Sequence, residues 1–222
     1  MHIIIFILLI HTVSFCAAIP DTKEIFSAIS SFNNAHTPPF FMAQITSAFI
    51  DAQLKNIPKE KINYGSTPSV YLVFQKGRDV RIWVDNVDDY YRFSFSIFED
   101  ILHKSGLFMG INTYSTYPSF IRQYQIFWIK GDELHPVKIK VVEKGALKGD
   151  YGIYFFSELW QLTGSEYYEN NQLTAVLKLK YVQNGGKEHI QSIILDFKYK
   201  LKEYTINLQV GKYQNVIPDG IF

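Results

Sequence analysis

The chain has 222 residues, with 22 Lys and Arg against 21 Asp and Glu, for a formal charge of +1. Hydrophobic residues make up 47%, aromatics 16% and charged residues 19%. That balance excludes a disordered tail and an electrostatically driven nucleic-acid binder, since the one needs few aromatics and the other a strong basic excess. The 13 Gly and 8 Pro are scattered without period, which excludes a collagenous or low-complexity chain.

The first segment reads as a leader. Residues 1–18 carry no Asp, Glu, Lys or Arg, residues 3–10 are an unbroken apolar run, and Cys16-Ala17-Ala18 follows. This is the pattern of a secretory signal peptide, with cleavage expected after Ala18. His11, Thr12 and Ser14 interrupt the stretch, which falls short of the roughly 20 apolar residues of a spanning helix. The remaining chain, 19–222, is expected to be secreted as one α+β domain. Cys16 is the only cysteine, so the mature form is expected to hold no thiol and cannot be a disulfide scaffold. No Asn-x-Ser/Thr sequon occurs, so N-glycosylation is not expected. No later run has the length and apolarity of a transmembrane helix.

Two helices are expected next. Asp21-Thr22-Lys23-Glu24 forms an Asp-x-x-Glu capping box, and Ile25, Phe26, Ile29 and Phe32 follow at helical spacing. Asn33-Asn34 is expected to stop this helix. Thr37-Pro38-Pro39 then offers a cap and a first-turn proline. Phe41, Ile45, Ala48, Phe49 and Ala52 make the apolar face of a second helix, which Pro58 ends.

From Ser69 the period falls to two. Val70, Leu72 and Phe74, then Val80, Ile82 and Val84, read as a hairpin turned at Lys76-Gly77-Arg78. Tyr91, Phe93, Phe95 and Ile97 alternate as a further strand. A helical turn closed by Gly106 is expected over 98–104, and a weaker strand over 107–113. Strands are also expected over 121–130 and 137–142, and a strand followed by a helical turn over 151–162. Leu173, Ala175, Leu177, Leu179 and Tyr181 alternate with polar residues up to Asn184-Gly185, the strongest hairpin signal in the chain. Strands around Ile190–Tyr199 and Tyr204–Val210 complete the set, and 215–222 reads as loop.

The fold class is therefore α+β: two N-terminal helices packed on a large curved antiparallel sheet of about nine or ten strands. Cone-like or barrel-like folds with a helix on the concave face are compatible with it. The turn glycines Gly77, Gly131 and Gly185 are evenly spaced, which raises the expectation of duplicated β-hairpin units.

Signatures of chemistry are sparse. The four histidines past the leader, His36, His103, His135 and His189, form no zinc pattern. Glu99 and His103 are spaced as a solvated pair on one helical face. There is no Gly-x-Ser-x-Gly elbow, no phosphate loop and no dinucleotide fingerprint. No catalytic residue, metal site or cofactor is assigned. Alternating lysines at 138, 140, 178, 180, 198, 200 and 202 read as a wet sheet face guarded against edge pairing. Aromatics are the one unusual feature. Tyr114 and Tyr117, and the pair Tyr167-Tyr168, sit among Ser, Thr, Asn and Glu in what read as loops. Loop tyrosines of this kind suit recognition, because a rigid amphipathic ring gives contact area at low entropy cost. Together these features favour a secreted, non-enzymatic module that binds a small apolar ligand or an extracellular protein partner. A carboxylate-dependent hydrolase and a self-assembling extracellular protein are the alternatives.

Overall fold

A computed structural model of the protein describes residues 19–75, 78, 80–92, 94–107, 116–184, 187–199, 202–214, 217, 220 and 221. The helices among them are α1 (Thr22–His36), α2 (Ala48–Leu54), α3 (Ser96–Lys104) and α4 (Tyr117–Gln123). The strands are β1 (Phe40–Thr46), β2 (Ser69–Gln75), β3 (Arg81–Asp85), β4 (Tyr124–Lys130), β5 (Val137–Glu143), β6 (Tyr151–Phe156), β7 (Leu162–Glu169), β8 (Gln172–Asn184), β9 (Lys187–Tyr199) and β10 (Lys202–Gln214). All ten lie in one sheet, in the order β3-β2-β1-β10-β9-β8-β7-β6-β5-β4. Every pairing is antiparallel.

This order sets the architecture. β4 to β10 run as a meander, and β1 docks beside β10, so β3 and β4 become opposite edges of an unclosed sheet. The chain between β3 and β4 must pass from one edge to the other, and it does so with α3 and α4. One end of α3 is tied to the edge strand: the Glu99 carboxylate accepts the Ile82 N–H at 2.6 Å and an Arg81 N–H at 3.2 Å. Its other end reaches β6 and β7. The Ser165 hydroxyl donates to the Ser105 carbonyl, and Lys104 pairs with Glu169 at 3.0 Å. Gly106 lies flat against the Tyr154 ring, in a backbone with φ of +81° that favours glycine; a Cβ there would overlap the ring at 1.8 Å. A nine-residue helix is only about 13.5 Å long. Six strand spacings separate β3 from β7, or about 29 Å in a flat sheet. A helix of that length touches both only if the sheet curls around it.

The concave face carries the core. Ile139, Tyr154, Ser165, Leu177 and Leu195 stand in register across five strands, and all are buried. Ile25 and Ile29 of α1 join them, and Phe26 meets Phe120 of α4 at 5.3 Å between ring centroids. Tyr181 and Tyr213 keep their hydroxyls satisfied by donating to the Leu162 and Ile190 carbonyls, at 2.8 and 2.6 Å. A smaller cluster on the convex face joins Met42, Val73 and Trp83 to Ile221 of the tail.

Several sequence expectations hold. The α1 capping box is formed: Asp21 accepts the Glu24 N–H at 2.8 Å, and Glu24 accepts the Asp21 N–H at 2.9 Å. The Asn184-Gly185 hairpin is present, with Asn184 opposite Lys187. Others are corrected. Asn33-Asn34 does not stop α1, which runs to His36 with Asn33 buried inside it. The first half of the expected second helix is β1, and only α2 is helical. β1 sits between β2 and β10 with apolar neighbours on both faces, so its apolar run masks the period of two. The strand expected at Tyr91–Ile97 is instead a 3-10 turn, Asp89–Tyr91, leading into α3. Residues 121–123 belong to α4, and the helical turn expected before Leu162 is a tight link into β7. The weak strand expected over 107–113 lies, past Leu107, outside the described residues. The repeat does not survive either. After the first hairpin the chain enters α3, whereas after the β4–β5 hairpin it adds β6 directly.

Glu99 carries a testable consequence. It is 8% exposed, and burial raises its carboxyl above the ordinary 4.5, although the Ile82 and Arg81 bonds pull the other way. The folded chain therefore keeps this proton to higher pH than the unfolded chain does. The group's contribution to stability is complete below 4.5 and declines as pH rises through the raised folded value. Urea unfolding of Glu99→Gln is expected to show a flatter pH dependence than the parent between 4.5 and the raised folded value. Glu99→Ala, which strands the buried Ile82 N–H, is expected to cost about 2–4 kcal/mol at any pH.

Candidate functional site

The concave face is not covered evenly. β8, β9 and β10 are 13 residues long, whereas α2 has 7 and α3 has 9. The strand ends at the β9–β10 hairpin therefore outrun the helices, and a cavity of about 270 Å³ opens there. Phe197 of β9 and Tyr204 of β10 form its floor, stacked at 5.3 Å with 16° between ring planes. Phe95, Phe98 and Ile101, on and just before α3, form one wall. Phe49 of α2 forms the other and meets Phe98 at 6.0 Å. Ser47 sets the direction of α2 by capping it, its hydroxyl accepting the Ile50 N–H at 3.1 Å.

Only two lining residues, Gln53 and Ser94, are exposed and polar; among the described residues no charged side chain lines the cavity. Phe95, Phe98 and Phe197 are buried, and Phe49, Ile101 and Tyr204 are half-buried. A space of this kind repels ions, which would lose hydration without a partner, and rewards removal of apolar surface from water. An apolar cavity of about 150 Å³ holds one benzene. The space here is nearly twice that and open at one side.

Three other depressions are less suited to an apolar guest. One of about 480 Å³ adjoins the cavity at Phe197 and Tyr204 but is bordered by Asp196, Lys198 and Glu203. A second, of about 50 Å³, lies among Tyr124, Tyr154, Tyr167, His103, Glu143 and Asp150, with room for little more than water. Another, of about 390 Å³, crosses the convex face above Gly164, between Phe155 and Val176, and is bordered by Lys138, Lys178 and Glu166. Lysines on that face lie over rings, with the Lys140 ammonium 3.7 Å from the Tyr151 ring centre and that of Lys138 5.6 Å from Phe155.

The tyrosines singled out from sequence do not converge. Tyr114 lies outside the described residues. Tyr117 is the first residue of α4, with its ring 5.6 Å from Phe26. Tyr167 and Tyr168 are on β7 rather than in a loop, so their side chains point to opposite faces. Tyr167 faces the concave side and burial pushes its hydroxyl up to about 12. Tyr168 stacks on Tyr151 at 4.7 Å and donates to Glu166 at 2.7 Å, and that bond to a carboxylate pushes its hydroxyl up to about 12. The cavity residues were missed because each reads, alone, as ordinary core.

Among the described residues Glu99 is the one buried carboxylate, and it is bound to the Arg81 guanidinium and the Ile82 N–H. No group of three His, Cys, Asp or Glu assembles among the described residues. No helix among them is long and apolar enough to cross a membrane.

The chain is similar in fold to a LolA superfamily protein of Nitrosomonas europaea, at a TM-score of 0.51 and 9% identity, covering 89% of this chain and 96% of that one. Weaker likenesses are to a domain assigned to outer-membrane lipoprotein sorting from Vibrio parahaemolyticus (TM-score 0.46, 12% identity, 86% of this chain and 93% of that one). A DUF1329 family protein of Desulfovibrio piger is similar at TM-score 0.48 and 10% identity, with 86% and 92% covered. No protein-family model and no curated protein matches the sequence.

The Tyr168–Glu166 bond can be read in solution. Absorbance titration of Glu166→Gln is expected to show one tyrosine ionising closer to the ordinary 10.0 than in the parent, where it is held near 12. An unchanged titration curve would mean that this bond does not form.

Proposed function

We propose that this protein is an exported, non-enzymatic carrier that holds a small uncharged apolar molecule, or the apolar part of a larger one, in the cavity between α2, α3 and the β9–β10 hairpin. The observation that carries this reading is the lining: aromatic and aliphatic side chains around about 270 Å³, with no charged side chain among the described residues and two exposed polar ones, Gln53 and Ser94. Specific small-molecule sites have this composition, with few polar groups at the mouth to orient the guest. The LolA-type fold supports the architecture alone. Export rests on the leader, residues 1–18, with its apolar run and Cys16-Ala17-Ala18 ending. Absence of a cysteine after Ala18 fits an exported chain that folds without disulfides.

N-phenyl-1-naphthylamine, an uncharged probe that brightens in apolar surroundings, tests the site. The protein is expected to enhance its fluorescence saturably. Ile101→Trp, which fills the cavity from α3, is expected to weaken binding at least tenfold, a change of about 1.4 kcal/mol. Ile153→Trp, on the convex face, is expected to leave binding unchanged. Equal binding by Ile101→Trp and the parent would remove the proposal. Mass spectrometry of the natively purified protein is expected to show an N-terminus at Ile19 and a co-purifying apolar compound.

A further inference from the structure

The two edges of the sheet are finished differently. On β3 the outward N–H groups are already used: that of Ile82 is held by the Glu99 carboxylate, and that of Val84 by the Arg92 carbonyl at 3.0 Å. β3 is thus closed to further pairing. On β4 only the first residue is closed, the Tyr124 N–H donating to the Phe120 carbonyl of α4. The Gln123 carbonyl accepts the Lys144 N–H, so odd-numbered residues here face β5 and even-numbered ones face outward. The backbone N–H and C=O of Ile126 and Trp128 therefore point away from the sheet, and among the described residues no strand lies beyond β4. None of the usual guards against pairing is present between them: no proline, no bulge and no charge. Phe127, between the two, is 49% exposed on the convex face.

We infer that β4 is a self-association edge, at which a second copy of this chain adds its own β4 antiparallel about a two-fold axis through Phe127. The sequence is complementary to itself in that register. Ile126 of each copy stands opposite Trp128 of the other, and each such pair exchanges both backbone bonds, satisfying the outward groups of both residues. The two Phe127 side chains meet at a non-hydrogen-bonded position, the closest approach between facing strands. Lys130 stands opposite Tyr124, so no like charges face each other. A peptide of another sequence would satisfy the backbone, but nothing on β4 selects its side chains, whereas its own sequence places ring on ring at the axis and keeps the one lysine away from its copy. A two-fold strand pairing closes on itself, giving a dimer with one continuous sheet rather than a fibre, because each copy has its other edge sealed by Glu99 and Arg92.

Light scattering coupled to size-exclusion chromatography, over a range of concentrations, is expected to show reversible dimerisation. Phe127→Lys places two ammonium groups together at the axis and is expected to weaken association at least tenfold. Because Phe127 lies outside the core, the unfolding temperature of the monomer should not fall. The register is tested by cysteines in a Cys16→Ser background. Phe127→Cys is expected to give a disulfide-linked dimer under mild oxidation. Gln125→Cys, which faces Ile129 rather than itself, is expected to remain uncrosslinked. A parent protein that is monomeric at every concentration would overturn the inference. So would equal crosslinking at both positions, or dimerisation unaffected by Phe127→Lys.

Discussion

A short helix spanning a wide sheet is the constraint from which the rest follows. α3 is bonded at Glu99 to the edge strand β3 and at Ser105 to β7, strands six places apart. The sheet curls because the helix is short, and the curl turns one face into a concave core and the other into a convex surface. It also leaves the long ends of β9 and β10 beyond the reach of α2 and α3. The cavity is the space in which curvature continues after the helices have stopped. Glu99 therefore does two things with one carboxylate: it fixes the helix that bends the sheet, and it seals the edge of the strand it is fixed to.

The two faces of the sheet answer to different solvents. Toward the core, large side chains alternate with Gly152 and Ser165, which leave room for the Tyr154 ring and the end of α3. On the convex side lysines lie over aromatic rings, and Phe155 and Tyr151, stacked on His135 and Tyr168, are half-buried there. At β1–β3 the tail residue Ile221 supplies a second layer, and those strands become buried on both sides.

That difference decides what could be read from sequence. β8, β9 and β10 are wet on one face, so Leu173, Ala175, Leu177 and Ile206, Leu208, Val210 alternate visibly, and β8 pairs β9 up to Asn184 opposite Lys187. β1 is apolar on both faces, and Phe41-Met42-Ala43 carries no period that separates strand from helix. The segment from Tyr91 to Ile97 alternates like a strand, and it does lie along β3 for one bond, from Val84 N–H to the Arg92 carbonyl, at the end of the 3-10 turn that Asp88 caps and before the chain enters α3. The site was less legible than the fold. Phe49, Phe98, Phe197 and Tyr204 come from four distant elements, and each sits at a position where a core residue would look the same. Their shared property is that the covering layer ends beside them, and this is a matter of relative element lengths. The loop tyrosines were more conspicuous, yet Tyr117 serves the α1–α4 contact and Tyr167 and Tyr168 are divided between the faces.

The shape of the cavity bears on the kind of binding it supports. An enclosed pocket rewards its guest for all of its apolar surface, at about 25 cal/mol per Å² removed from water, and releases it slowly. Here one side is open past Gln53 and Ser94, so a guest of the kind proposed would be buried in part and would gain only that part of the transfer free energy. For the proposed carrier, partial burial would leave the exposed portion of the guest available to an acceptor while the ring-lined portion is still held. The rigid element behind the cavity is α3, which is pinned at both ends. α2, a helix of 7 residues, is held by its capped end, by the buried side chain of Ile50 and by Phe49 and Leu54 packed on the same core, so the opening is set by how far the two short helices reach along the longer strands.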